Sequence, residues 1–139
     1  MLIASYTDFS MAGRRWPHFS PVELACKCPV RGCRGEFWHD PAFPDGLEAL
    51  RAGAGKPLKI NSGHRCSVRN LLTGGVPDSR HRRIAVDISL RRHDRHAVLA
   101  AAQDCSFTGI GRARTFLHLD RRKKPALWTY PGVEASWQI

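Results

Sequence analysis

Two short apolar runs alternate with polar residues at a period of two. In residues 84–90, Ile84, Val86 and Ile88 alternate with Ala85, Asp87 and Ser89. That pattern predicts a strand with branched side chains on its core face and Asp87 on the opposite one. In residues 115–120, Phe116 and His118 share one face, and Leu117 and Leu119 share the other. If the two strands are neighbours, Asp87 and His118 meet on the exposed face of one sheet. His81 lies in the loop just before the first strand and can swing over to join them.

The remaining elements follow from turn and cap signals. Ser20-Pro21-Val22-Glu23 reads as a helix start, with Ser20 as N-cap, Pro21 at the first helical position and Glu23 closing a capping box. It predicts a short helix over residues 21–26. Asp40-Pro41 opens a second helix, with Phe43, Leu47 and Leu50 at helical spacing and Gly53 and Gly55 at its end. Pro44 makes its first turn irregular. A strand is expected over 57–61, a helical turn over 66–72 and a loop over 73–78. The alanine-rich stretch from His93 to Gln103 predicts the clearest helix. Residues 107–111 and 115–120 read as a hairpin, and 128–130 as a short final strand. This order predicts an α+β fold, a small mainly antiparallel sheet with helices packed on one side. Residues 1–15 carry no clear pattern and are expected to form an N-terminal arm, with 16–139 as a single domain.

Composition narrows the class. A chain of 139 residues, 42% hydrophobic and 24% charged, is ordinary for one globular domain. No apolar run approaches the ~20 residues of a membrane helix. The opening Met1-Leu2-Ile3-Ala4 lacks the basic start and apolar middle of a secretory signal. The net charge is +10, concentrated in Arg80-His81-Arg82-Arg83, Arg91-Arg92 and Arg121-Arg122-Lys123-Lys124. Such a surface attracts polyanions, or carboxylate-bearing peptides near the clusters. No nucleic-acid-binding motif accompanies the charge, so no specific nucleic-acid partner is expected.

Five cysteines are present. Cys26, Cys28 and Cys33 lie close together in a Pro/Gly/Arg-rich loop, and Cys66 is a candidate partner in space. Metal binding and disulfides are both open readings. The spacing lacks a paired C-x-x-C motif, which argues against a separate structural zinc. Reduced thiols are expected, with Cys105 a buried free thiol.

His81, Asp87 and His118 together offer two imidazoles and one carboxylate. Three protein ligands with an open fourth position is the usual make-up of a catalytic zinc site. Zinc there would lower the pKa of bound water to about 7 and polarise a scissile carbonyl.

The motifs in order resemble a known family. Ser79-x-His81, then Ala85-x-Asp87-Ile88, then Phe116-x-His118-x-Asp120 are similar to the zinc D-Ala-D-Ala carboxypeptidase and peptidoglycan endopeptidase family, which shares its fold with the hedgehog signalling domain. Trp16-Pro17-His18-Phe19-Ser20 followed by Glu23 and Cys26-Lys27-Cys28 resembles the opening of the phage and bacterial branch. Gly55-Lys56-Pro57-Leu58 leading to Ser62-Gly63-His64-Arg65-Cys66 resembles its Ser-Gly-Tyr-Arg-Cys segment, and Asn70, Gly74-Gly75 and Ser79 keep the order. The resemblance covers roughly Trp16 to Tyr130.

It implies zinc held by His81, Asp87 and His118. It implies Arg65 near the metal, binding the developing oxyanion or the substrate carboxylate, and Ser79 shaping the substrate site. Asp120 returns to the face of His118 and is expected to act with it in catalysis, as a partner for a ligand histidine. Two departures stand out. Five residues separate His81 from Asp87, one fewer than the family pattern, through loss of a glycine. Asp87 serves as ligand if the loop absorbs that shortening, whereas a change of strand register would turn it away. Thr115 stands where many relatives carry an acidic residue or histidine, which leaves Glu36, Asp78, His64 and Asp120 as candidate general bases.

The expected activity is zinc-dependent hydrolysis of peptidoglycan stem peptides, of carboxypeptidase or endopeptidase type. The alternative is a non-catalytic zinc-containing wall-binding module on the same fold. The expected partner is the stem peptide, with no membrane, for a monomer that reaches the wall by phage-like release.

Overall fold

Leu2–Ile3 (β1) and Phe37–Trp38 (β2) pair antiparallel as a small two-stranded sheet. Between and after them lie Pro21–Leu24 (α1), Ala42–Ala54 (α2), Ile60–Ser62 (β3), Ser67–Leu72 (α3), Ala85–Ser89 (β4), Arg95–Asp104 (α4), Gly109–Arg112 (β5), Phe116–Asp120 (β6) and Ala126–Thr129 (β7). This computed structural model describes residues 1–9, 15–28, 33–74 and 79–139.

The larger sheet has strand order β3-β4-β6-β5-β7. All its pairs are antiparallel except β5 with β7. The fold is α+β with a mainly antiparallel sheet, as the pattern predicted. The parallel edge is the exception: after β6 the chain reverses over residues 121–125 and lies along the far edge of β5.

One face of this sheet makes the core. Val86 and Ile88 from β4, Leu117 and Leu119 from β6 and Ile110 from β5 pack in one cluster with Phe43, Leu47 and Leu50 of α2 and Val98 and Ala102 of α4. Phe43, Leu47, Leu50, Ile88, Leu117 and Leu119 are fully buried. Each such side chain contributes about 1.5–3 kcal/mol over its exposed state. The opposite face is left to Asp87, His118 and Asp120.

The ends of the helices show which local signals won. The Glu23 carboxylate accepts the Ser20 N–H at 2.8 Å, as a capping box requires. Yet α1 stops at Leu24 rather than Cys26. The Leu24 carbonyl accepts from His64 N–H, and Cys26 N–H donates to Glu36 O, so tertiary partners take the groups a longer helix needs. Helix α4 begins at Arg95 rather than His93, because the Asp94 side chain accepts from the N–H groups of His96 and Ala97 and so acts as N-cap. Cys105, expected to be buried, is half-buried at the end of α4.

The expected N-terminal arm is seated on the body over residues 1–9. β1 pairs with β2, and Ile3, Tyr6 and Phe9 pack against the core. Among the described residues no helix is long and apolar enough to cross a membrane.

Candidate metal centre

The β4–β6 register sets Asp87 directly opposite His118. Both point from the face away from the core, and both are buried. His118 Nδ1 lies 3.2 Å from Asp87 Oδ1. His81 arrives from a 3-10 turn, Arg80–Arg82, and brings Nε2 to 3.3 Å from the same oxygen. The shortened link is therefore absorbed in the turn, and β4 keeps its register through Ala85 opposite Asp120. The Ser79 hydroxyl accepts the His81 N–H and caps that turn.

Each imidazole is held by its other nitrogen. His81 Nδ1 donates to the Gly63 carbonyl at 2.7 Å. His118 Nε2 donates to Asp120 Oδ2 at 2.8 Å. In the neutral rings this leaves His81 Nε2 and His118 Nδ1 as acceptors, both turned toward a carboxylate that can only accept. Three converging acceptors need a shared cation or extra protons. A divalent metal meets that need, and histidines that give their outer N–H to a carbonyl or carboxylate are the usual supporting arrangement. The donor set fits zinc: the ligand atoms of His81, Asp87 and His118 lie within 4.8 Å of one another.

The charges follow the same geometry. Burial works to raise the Asp87 carboxyl, but the hydrogen bonds and positive charge that His118 and His81 supply in the metal-free protein, when protonated, outweigh it and hold the pKa well below the usual range. Burial opposes a charged His118, yet the bonds to Asp120 and Asp87 prevail and raise its pKa. Burial is likewise overcome at Asp120, where Arg122 and then His118 keep the carboxyl ionised.

Arg65 enters from the loop between β3 and α3. Its backbone N–H donates to the His81 carbonyl, and its Nη2 lies 3.7 Å from Asp87 Oδ2. Arg122 grips Asp120 through Nε at 2.9 Å and stacks over Trp128 at 4.6 Å. Trp128 in turn lies 5.3 Å from the His118 ring. These groups, with Ser79, Arg80, Phe116 and Tyr130, line an open cleft of about 460 Å³ above the centre. An adjoining cleft shares Arg65, Ser79 and Arg80 and adds Arg82, Arg83 and Glu36.

Two glycines make this wall possible. A Cβ at Gly111 would stand 2.6 Å from the Trp128 ring, and one at Gly109 would fall on the Asp120 carboxylate. Only a residue without a side chain lets those groups lie against the β5 backbone.

The residues named from sequence are therefore together: His81, Asp87 and His118 converge, Arg65 and Ser79 border them, and Asp120 stands behind His118. The candidate general bases fare less well. His64 is buried with both nitrogens engaged, by Arg83 O and by Glu36. Glu36 lies on the adjoining cleft, bonded to His64. Asp120 is 1% exposed and its carboxylate is taken up by His118 and Arg122, and Asp78 lies outside the described residues.

Sequence reading placed Trp128 and Tyr130 in a short final strand and Arg80 and Arg122 in basic clusters suited to carboxylate-bearing peptides, without assigning any of them to the cleft. The signal for Trp128 was Gly111 inside a strand, which marks close approach by something large. Burial and then the Asp87 charge keep the Tyr130 phenol neutral, with a raised pKa.

An α+β sheet that converges two histidines and an aspartate in a basic cleft defines a candidate centre for a divalent metal. The family model for Peptidase M15 matches residues 17–120, and the chain belongs to that family of zinc-dependent peptidases acting on peptidoglycan. No curated protein matches the chain.

Proposed function

We propose that the chain hydrolyses a peptide bond in peptidoglycan stem peptides, as a D-Ala-D-Ala carboxypeptidase or an endopeptidase, with zinc held by His81, Asp87 and His118. The observation that carries this reading is the orientation of the two imidazoles. Each gives its N–H to a fixed acceptor and turns a lone pair toward Asp87. Zinc bound there supplies a Lewis acid and an ionisable water.

The chain's own groups do the rest. Arg65 binds the substrate carboxylate or the developing oxyanion with its planar fork of donors. Asp120 fixes the tautomer and angle of His118, and Ser79 holds the turn that presents His81 and borders the substrate. Arg80 and Arg122 draw in the carboxylates of the stem peptide, and Trp128 and Tyr130 wall the cleft. The acting unit is a monomer whose single domain spans 16–139, with the stem peptide as partner and with neither nucleic acid nor membrane involved. It reaches the wall in the manner of a phage endolysin.

The test is incubation of zinc-loaded protein with a stem pentapeptide and with cross-linked muropeptides. D-Alanine release identifies the carboxypeptidase, and loss of cross-links the endopeptidase. Both must vanish with chelator and in His118→Ala. Zinc bound without cleavage of either substrate overturns the enzyme reading.

One observation favours a second reading, a non-catalytic wall-binding module. Among the described residues lining the central cleft, Asp87 is the sole carboxylate, and it is the one assigned to the metal. Retention on wall fragments without cleavage identifies that module.

A further inference from the structure

Away from the metal centre, four of the five cysteines come together. Cys26 and Cys28 follow α1, Cys33 precedes β2, and Cys66 precedes α3. Their sulfurs all lie within 4.8 Å of one another. A tetrahedral zinc with Zn–S bonds of ~2.3 Å spaces its sulfurs about 3.8 Å apart, so small side-chain rotations close this cluster on an ion. A disulfide pairs two sulfurs, whereas here four share one space.

The backbone around the cluster is set to receive thiolates. Cys66 N–H points at Cys26 Sγ at 3.4 Å, and Arg69 N–H at Cys66 Sγ at 3.3 Å. The amides of Gly35 and Glu36 point at Cys33 Sγ. Peptide N–H groups aimed at sulfur favour its charged form and support the ligand shell of a thiolate site. Cys26 and Cys66 are buried while Cys28 and Cys33 are half-buried, which gives a metal a route in from one side.

We infer that Cys26, Cys28, Cys33 and Cys66 form a second, structural zinc site, distinct from the peptidase centre. Four thiols lose four protons to bind one Zn²⁺, with no change of oxidation state. A site with four protein ligands is closed and holds no water for chemistry. Its role is a staple. It joins the loop after α1 to the segment from Ser62 to Cys66, in which the Gly63 carbonyl holds His81 and the Arg65 side chain reaches Asp87. The soft four-sulfur donor set selects zinc, with ferrous iron as the competitor.

The experiment measures metal per chain by elemental analysis and native mass spectrometry on the full chain purified without chelator. Wild type is expected to hold two zincs, the paired His81→Ala/His118→Ala variant one, and Cys28→Ser/Cys33→Ser one fewer than wild type. Cobalt reconstitution of the His81→Ala/His118→Ala protein removes dependence on the cysteine variant folding: it should give thiolate-to-cobalt charge-transfer absorption. Zinc that disappears completely from the His81→Ala/His118→Ala protein, with no such absorption on cobalt addition, overturns the inference. So does an intact mass lowered by disulfide formation in the purified protein, or iron at the site. The outcome is separate from that of the peptidase reading. A stapled but inactive protein leaves this site standing, and an active protein with one zinc removes it alone.

Discussion

Asp87 and His118 face each other across the β4–β6 pair, with His118 Nδ1 3.2 Å from Asp87 Oδ1. A direct cross-strand pair of this kind is held by the sheet itself rather than by a loop. Removing the carboxylate takes away the group on which both imidazoles converge. Asp87→Ala is expected to lose the metal at this centre and to lower kcat/KM by about 10³-fold or more, about 4 kcal/mol of transition-state stabilisation. Metal analysis beside a D-alanine or cross-link assay checks it. Retained metal and activity would remove Asp87 from the ligand set.

Asp120 acts through His118 and is gripped by Arg122. Asp120→Ala should weaken metal affinity about 10–100-fold, as loss of a ligand's supporting carboxylate does. It should also cost about 3 kcal/mol of stability, because Arg122 loses its partner at a partly exposed site. Competition with a chromophoric chelator reads the first effect, and urea unfolding of the metal-free protein reads the second.

The raised pKa of His118 sets the pH response of metal binding. Below that pKa the metal-free ring holds a proton that the metal must displace. Affinity should therefore fall by about tenfold per pH unit, starting above the ordinary histidine value of 6.5. Without metal the protonated ring also stabilises the fold: that contribution is full below 6.5 and is lost as pH rises through the raised folded value. Asp87 and Asp120 work in the other direction. Their folded pKa values are lowered, so their contribution is present above about 3.8 and is lost as pH falls below it. Chelator competition from pH 5 to 8 and acid unfolding of the metal-free protein are the measurements. A metal affinity that stays flat down to pH 6 contradicts the role given to His118.

Arg65 offers a test of fork against point charge. Arg65→Lys keeps the cation and loses the paired donors, so kcat should drop about 10²–10³-fold while zinc content is unchanged. An arginine that only neutralised Asp87 would tolerate the change.

Gly111→Ala probes the cleft wall. The added methyl would stand 2.6 Å from the Trp128 ring and must displace it. A several-fold rise in KM with intact metal binding is expected, measured on the same substrates. An unchanged KM would take Trp128 out of substrate contact.

Much of the centre was legible because it rests on local periodicity. The alternation of Ile84, Val86 and Ile88 with Asp87, and of Leu117 and Leu119 with His118, encodes which face each side chain takes, through the two-residue repeat of a strand. Cap and proline signals likewise placed α1 and α2 to within a few residues. The starts and ends that moved did so for nameable reasons, the Asp94 cap and the tertiary bonds at Leu24 and Cys26.

What the chain determined alone was the faces of its strands and the order of its elements, since each depends on neighbours a few positions apart. The tertiary structure decided what meets what. It absorbed the missing residue between His81 and Asp87 in a 3-10 turn and laid β7 parallel to β5, so that Trp128 reached His118. It also gathered Cys66 to cysteines about forty residues earlier. Those contacts depend on register and loop path over long separations. There the free energy comes from packing the whole core, and no local repeat records it.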